Sequence, residues 1–195
     1  MTPETSYLLI GLGNPGREYR DSRHNVGFML VDRIAVRLGA RGMKVQSKAI
    51  TTTATYEDRK LILAKPQTYM NLSGQSVQGL IHFYKLPLTN VLIAHDDLDI
   101  PFATIRIRPG GGPGGQRGMA STIEQLGTKD FPRLRIGIGR PPGRMDPSAY
   151  VLQDFTREEI KSLSEILDHA ADAALEFVVN GLDKAMNKYN GSVES

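Results

Sequence analysis

The chain has 195 residues, 40% hydrophobic and 23% charged, which suits one well-filled globular domain over residues 1–195. It contains no cysteine, which excludes disulfides and thiolate metal sites and fits a reducing compartment, the cytoplasm by default. No apolar run reaches the roughly eighteen residues of a membrane span, and the start, MTPETSYLLIGLG, has neither the basic opening nor the long apolar centre of a secretory signal. The formal charge is +3 and the pI about 9.2. The bases cluster: Arg106, Arg108, Arg117, Lys129, Arg133, Arg135, Arg140 and Arg144 face only Glu124 and Asp130 over the same stretch. Such a segment beside a glycine-rich loop suits either a solvated surface or a polyanionic partner.

The apolar run 7–12 predicts a buried strand, broken by Asn14-Pro15-Gly16. Phe28, Val31, Ile34, Ala35 and Leu38 recur at helical spacing over 25–38, with Gly39 placed to close the helix. AITTTATY and KLILAKP flank the polar turn Glu57-Asp58-Arg59 and predict a β-hairpin. A helix is expected over 73–85, a buried strand at VLIAHDD, and a half-exposed one at ATIRIR. The glycine-rich stretch 110–118 leads into a short helix, and LRIGIG reads as a further strand. GRPPGRMDPSAY is irregular and predicts a mobile loop. Thr156 and Glu159 form a capping box before an apolar stripe of Ile160, Leu163, Leu167, Ala170, Ala174 and Phe177. Gly181 ends that helix, and a short one runs to about Tyr189. Strands alternating with helices, plus a hairpin, imply an α/β domain with a mixed sheet and a helical C-terminal segment.

Gly11-x-Gly13-x-x-Gly16 after a strand has the spacing of a dinucleotide-binding loop. Pro15 argues against it, because proline offers no N–H to a pyrophosphate. So does the late helix start, and Asp32 falls inside a helix rather than at a strand end. The second loop, GGGPGGQRG, lacks the Gly-Lys-Ser/Thr ending of a P-loop.

The histidines are His24, His82, His95 and His169. His82 and His169 fall inside amphipathic helices. His24 lies between a turn and a helix start, in a segment with little reason to be buried. His95 and Asp96 end a core strand, where open α/β sheets place ligands. If the strand over 7–12 and the strand VLIAHDD are neighbours, His24 can meet an acid of HDDLD. A carboxylate on one imidazole nitrogen fixes the tautomer and favours the imidazolium formed when the other nitrogen takes a proton from water. Without a cysteine or a Gly-x-Ser-x-Gly elbow, activated water is favoured over a covalent nucleophile. Metal binding by His95, Asp96, Asp97 and Asp99 is the competing reading, although Asp97 and Asp99 also suit a turn. Asn71 suits either a helix cap or an amide contact to substrate.

GLGNPGREYRDSRHNVG, KPQTYMNLSG, HDDLDIP, GGGPGGQRG and FPRLRIGIGRP, in this order and spacing, resemble bacterial peptidyl-tRNA hydrolase over nearly the whole chain. The resemblance implies a single α/β domain with a twisted mixed sheet. It also implies hydrolysis of the ester joining a peptide to the 3′ ribose of tRNA, without metal or cofactor. On it, His24 activates water, Asp96 supports the base, and Asn14 distinguishes blocked from free aminoacyl ends. Tyr19, Tyr69 and Asn71 match positions contacting the peptidyl-tRNA 3′ end, and Arg108 and Arg135 match positions at the tRNA 5′ phosphate. A monomer with no membrane association or obligate protein partner is expected. Gln116-Arg117 departs from the His-Asn of most of the family. Arg117 can donate hydrogen bonds or bind phosphate at this substrate-contacting position, but cannot accept a bond from a peptide N–H. The alternative is a catalytically silent RNA-binding protein on the same fold, since fold alone does not fix function.

Overall fold

The computed structural model describes residues 5–193; residues 1–4, the first part of the segment read above for a signal, and residues 194–195 lie outside the described residues. The first strand, β1 (Ser6–Gly11), is buried over its last four positions. Parallel partners flank it on both sides, so both faces are covered and its sequence is continuously apolar. Helix α1 (Val26–Leu38) ends at Gly39, whose φ of 61° is the left-handed closure expected there.

An antiparallel meander follows: β2 (Arg41–Gln46), β3 (Ala49–Tyr56) and β4 (Arg59–Pro66). Its turns use the pairs Ser47-Lys48 and Glu57-Asp58, all four with positive φ, as two-residue hairpins of the primed kind require. β2 has no sequence counterpart above. It is an edge strand with no buried face, so it carries no period-two signal.

The remaining elements are α2 (Ser73–Tyr84), β5 (Val91–Asp97), β6 (Thr104–Arg108), α3 (Arg117–Leu126), β7 (Arg133–Gly137), α4 (Pro147–Leu152), α5 (Arg157–Asn180), α6 (Leu182–Tyr189) and β8 (Gly191–Ser192). The capping box of Thr156 and Glu159 opens α5 as expected, although Ile160 is 55% exposed and the buried stripe starts further along. The segment read as an irregular loop holds α4, started by an Asp146 side-chain cap with Pro147 in the first turn.

The mixed sheet runs β2-β3-β4-β1-β5-β7-β6-β8, giving the expected single-domain α/β fold. α1, α5 and α6 pack on one face, around Val31, Ile34, Ile166, Ala170, Phe177 and Ala185. α2 and α3 cover the other, where Val77, Leu80 and Met119 meet Leu8, Ile10 and Ile93. The chain leaves β1 to reach β4 on one side and then β5 on the other. The carboxyl ends of β1 and β5 therefore flank a topological switch point, where such sheets open a crevice.

Candidate active site

The loop after β1 owes its glycines to packing. A Cβ on Gly11 would lie 2.0 Å from the Gly27 carbonyl oxygen, and one on Gly27 would lie 2.6 Å from that of Ala94. The pair lets α1 press its first turn against the backbone of β1 and β5. Gly13 lies against the Phe28 ring, and Gly16 turns the chain with φ 109°. Thus the three glycines of the dinucleotide-like pattern each have a steric role without a nucleotide.

β1 and β5 are parallel neighbours, so Asn14 and Asp96 emerge side by side. His24 stands in the 3-10 turn Arg23–Asn25 and donates from Nδ1 to Asp96 Oδ2 at 2.8 Å. That contact places the ring proton on Nδ1 and leaves Nε2 as the acceptor on the cleft side. His24 is only 8% exposed and Asp96 2%, so the expectation of an unburied His24 does not hold. The cause is the C-terminal third. Arg23 N–H donates to the Gln153 carbonyl at 3.0 Å, and Arg23 Nη2 donates to Glu159 Oε1 at 2.8 Å. The guanidinium also stacks 4.0 Å from the centroid of Tyr150. Chain distant in sequence covers the turn.

Asn14 is held from both sides. Asn25 accepts from its backbone N–H at 2.8 Å through Oδ1 and donates to its carbonyl at 2.9 Å through Nδ2. Asn14 Oδ1 accepts from the Met70 N–H at 2.7 Å. Since a backbone N–H can bond only the amide oxygen, Nδ2 is left as the group Asn14 can offer to a ligand.

A cleft of about 360 Å³ is lined by Asn14, His24, Tyr69, Asn71, Asp96 and Arg117 among others. Six site residues proposed from the sequence thus meet in one place. Tyr19 does not line it, and lies in the 3-10 turn Arg17–Tyr19. Asn71 is exposed in the turn Met70–Leu72 and does not cap α2. The far wall comes from Leu98 and from Pro147, Ser148, Val151 and Leu152 of α4. These wall residues escaped the sequence reading, although Asp-Pro before an apolar pair was a usable helix-start signal.

Asp97 and Asp99 behave as turn residues. Asp99 N–H donates to Asp97 Oδ1 at 2.8 Å, while Arg135 Nε donates to Asp97 Oδ2 at 2.8 Å and Arg140 Nε to Asp99 Oδ1 at 3.0 Å. Arg135 and Arg108 lie outside the cleft on β7 and β6. The register pairs Arg106 with Arg135 and Arg108 with Arg133, which puts four arginines on one face of two neighbouring strands. Arg133 is buried and has turned inward. It donates to the carbonyls of Gly111 at 2.7 Å and Lys129 at 2.6 Å, tying the glycine-rich loop to the sheet. Burial, reinforced by Arg135, brings its pKa down to about 10. His95 Nδ1 donates to the Asp96 carbonyl at 2.8 Å, and burial lowers its pKa, favouring the neutral ring.

A model of the family described as peptidyl-tRNA hydrolase matches residues 8–195. The chain is 48% identical over 185 residues to a peptidyl-tRNA hydrolase of Alkaliphilus metalliredigens, covering 95% of this chain and 100% of the relative. It is 49% identical over 183 residues to the chloroplastic peptidyl-tRNA hydrolase of Arabidopsis thaliana, covering 93% of this chain and 62% of that protein. A crystal structure of peptidyl-tRNA hydrolase from Acinetobacter baumannii superposes with a TM-score of 0.89 at 36% identity, covering 96% of each chain. With its cleft, its glycine-built loop and these relatives in agreement, the chain belongs to the peptidyl-tRNA hydrolase family.

Proposed function

We propose that this chain hydrolyses the ester between a peptide, or an N-blocked aminoacyl group, and the 3′ ribose of tRNA. The observation carrying the mechanism is the 2.8 Å contact between His24 Nδ1 and Asp96 Oδ2 at the cleft. His24 Nε2 takes a proton from water as the water oxygen bonds to the ester carbon. Asp96 fixes the tautomer and balances the imidazolium that results. The ester C–O bond then breaks, the ribose oxygen takes the proton back from Nε2, and the peptide leaves as a carboxylic acid. Such a base contributes about 10²–10⁴ in rate.

Asn14 supplies the selection. Its free Nδ2 is a donor and calls for a carbonyl on the peptide, whereas the α-ammonium of aminoacyl-tRNA would set donor against donor. An unmatched polar contact can discriminate strongly. Tyr19, Tyr69, Asn71 and Arg117 contact the peptidyl-tRNA 3′ end, with Arg117 acting through donation alone. Arg108 and Arg135 bind the 5′ phosphate, for which arginine forks are suited. The chain works as a cytoplasmic monomer, and the route uses water, His24 and Asp96 without a cofactor. Among the described residues, no helix is long and apolar enough to cross a membrane.

The test is His24→Ala with N-acetyl-aminoacyl-tRNA as substrate. Turnover is expected to disappear while the circular dichroism spectrum stays that of the folded parent. Retained turnover would overturn the assignment.

A further inference from the structure

The carboxylate beside His24 has a second donor. Gln116 Nε2 donates to Asp96 Oδ1 at 3.0 Å, on the oxygen that His24 does not use. Gln116 is 7% exposed and is the N-cap of α3, its Oε1 accepting from the Met119 N–H at 2.7 Å. Because that N–H can bond only oxygen, the amide cannot flip, and Nε2 must face Asp96. Caps are usually Asn, Asp, Ser or Thr. Asp has no donor, Ser and Thr are short, and Asn carries its amide one methylene closer to the backbone, so Gln combines a cap acceptor with a longer-reaching donor. Gly114 and Gly115, with φ of 59° and 79°, bend the chain just before this residue.

We propose that Gln116 is a positioning residue of the hydrolytic site. Resting on the reading of His24 and Asp96 as the catalytic pair, it assigns Gln116 the task of orienting Asp96. The amide couples the start of α3 and the glycine-rich loop to the base. A buried carboxylate with one donor has an unsatisfied oxygen, and a second donor both satisfies it and fixes the plane of the carboxylate. The titratable and charged groups around this contact are His24 and Asp96 themselves, Asp97 with its Arg135 partner, His95 behind Asp96, and Arg117 at the cleft edge. Gln116 adds a donor there without adding a titration.

The experiment compares Gln116→Glu, Gln116→Met and Asp96→Asn with the parent, on N-acetyl-aminoacyl-tRNA across pH 6–9. Gln116→Glu keeps the side-chain length and the oxygen that caps α3, but turns the donor into a second carboxyl against Asp96. It is expected to lower kcat about tenfold or more at neutral pH, with KM within about twofold. It also adds an ionisation to the kcat profile, because two facing carboxyls titrate as a pair. Gln116→Met lowers kcat without a new ionisation. If Gln116→Met fails to fold, Gln116→Glu decides alone. A purely structural cap predicts that Gln116→Glu leaves kcat and its pH profile untouched, and that result overturns the proposal. The failures separate: Asp96→Asn retaining parental turnover removes the catalytic pair, whereas an inactive Asp96→Asn beside an unaltered Gln116→Glu removes only the role of Gln116.

Discussion

Glu159→Gln probes what holds the His24 turn in place. Glu159 Oε1 accepts from Arg23 Nη2 at 2.8 Å and from the Thr156 N–H at 2.9 Å, so one oxygen serves both an ion pair and the capping box of α5. The side chains are 4% exposed for Arg23 and 15% for Glu159, which removes most of the water that would otherwise compensate the guanidinium. The amide variant retains an acceptor for the cap and for Arg23 but takes away the negative charge. A hydrogen bond to a charged group is worth about 1.5–3 kcal/mol, and removing a buried partner outright costs about 3–5 kcal/mol. Since the amide oxygen remains, Glu159→Gln is expected at about 1.5–3 kcal/mol, or roughly 3–12 °C in Tm for a chain of this size. Glu159→Ala, losing cap and pair together, should exceed it. Asp172→Asn is the control: Asp172 pairs with Arg37 at 2.6 Å, but its side chain is 50% exposed, so about 0–1 kcal/mol is expected. Urea denaturation with an unchanged m-value measures all three. A Glu159→Gln midpoint no lower than that of Asp172→Asn would refute the view that Arg23 depends on this carboxylate.

Asn14→Asp should keep an acceptor for the Met70 N–H while replacing the free donor with an anion. Hydrolysis of N-blocked substrate should fall, and the ratio of aminoacyl-tRNA to blocked turnover should rise, as parallel kinetics on the two substrates will show. His95 is held below its ordinary value of 6.5 by burial. The unfolded chain then takes up a proton that the folded chain refuses, so stability falls as pH drops below about 6.5, by at most about 1.4 kcal/mol per pH unit. His95→Gln should flatten this part of the slope in urea midpoints between pH 7.5 and 5. Arg133→Lys cannot reproduce a fork spanning the Gly111 and Lys129 carbonyls. It should destabilise by about 1–3 kcal/mol and speed amide exchange over 110–116.

The order of elements was legible because each main strand and helix carries its own apolar pattern, continuous in buried strands and periodic in helices. β5 is buried at all seven positions, and α5 opens with a capping box. That His24 can meet an acid of HDDLD was legible once β1 and β5 were taken as neighbours; that the acid is Asp96 came from the family resemblance, and the 2.8 Å contact bears out the pairing. Other parts had no local signal. The burial of His24 depends on Gln153, Tyr150 and Glu159, and no spacing in a single chain reveals which surface such residues cover. β2 escaped because it buries nothing. Gln116 stood out as a departure from the family pattern, but its contact with Asp96 depends on how the glycine-rich loop is folded back. Glu159 was read correctly as a cap, and its partnership with Arg23 could be found only in three dimensions.

The contacts that complete the site also set an order of events during synthesis. The Arg23–Glu159 link spans 136 residues and the His24–Asp96 link 72. Translation delivers the N-terminal part first, so His24 emerges before Asp96, and before the clamp behind it and the far wall in α4. Throughout that time the chain is itself a peptide esterified to tRNA, the type of bond its family is named for hydrolysing. With His24 as the proposed base, a site finished only by late-made residues would be incomplete through most of its own synthesis.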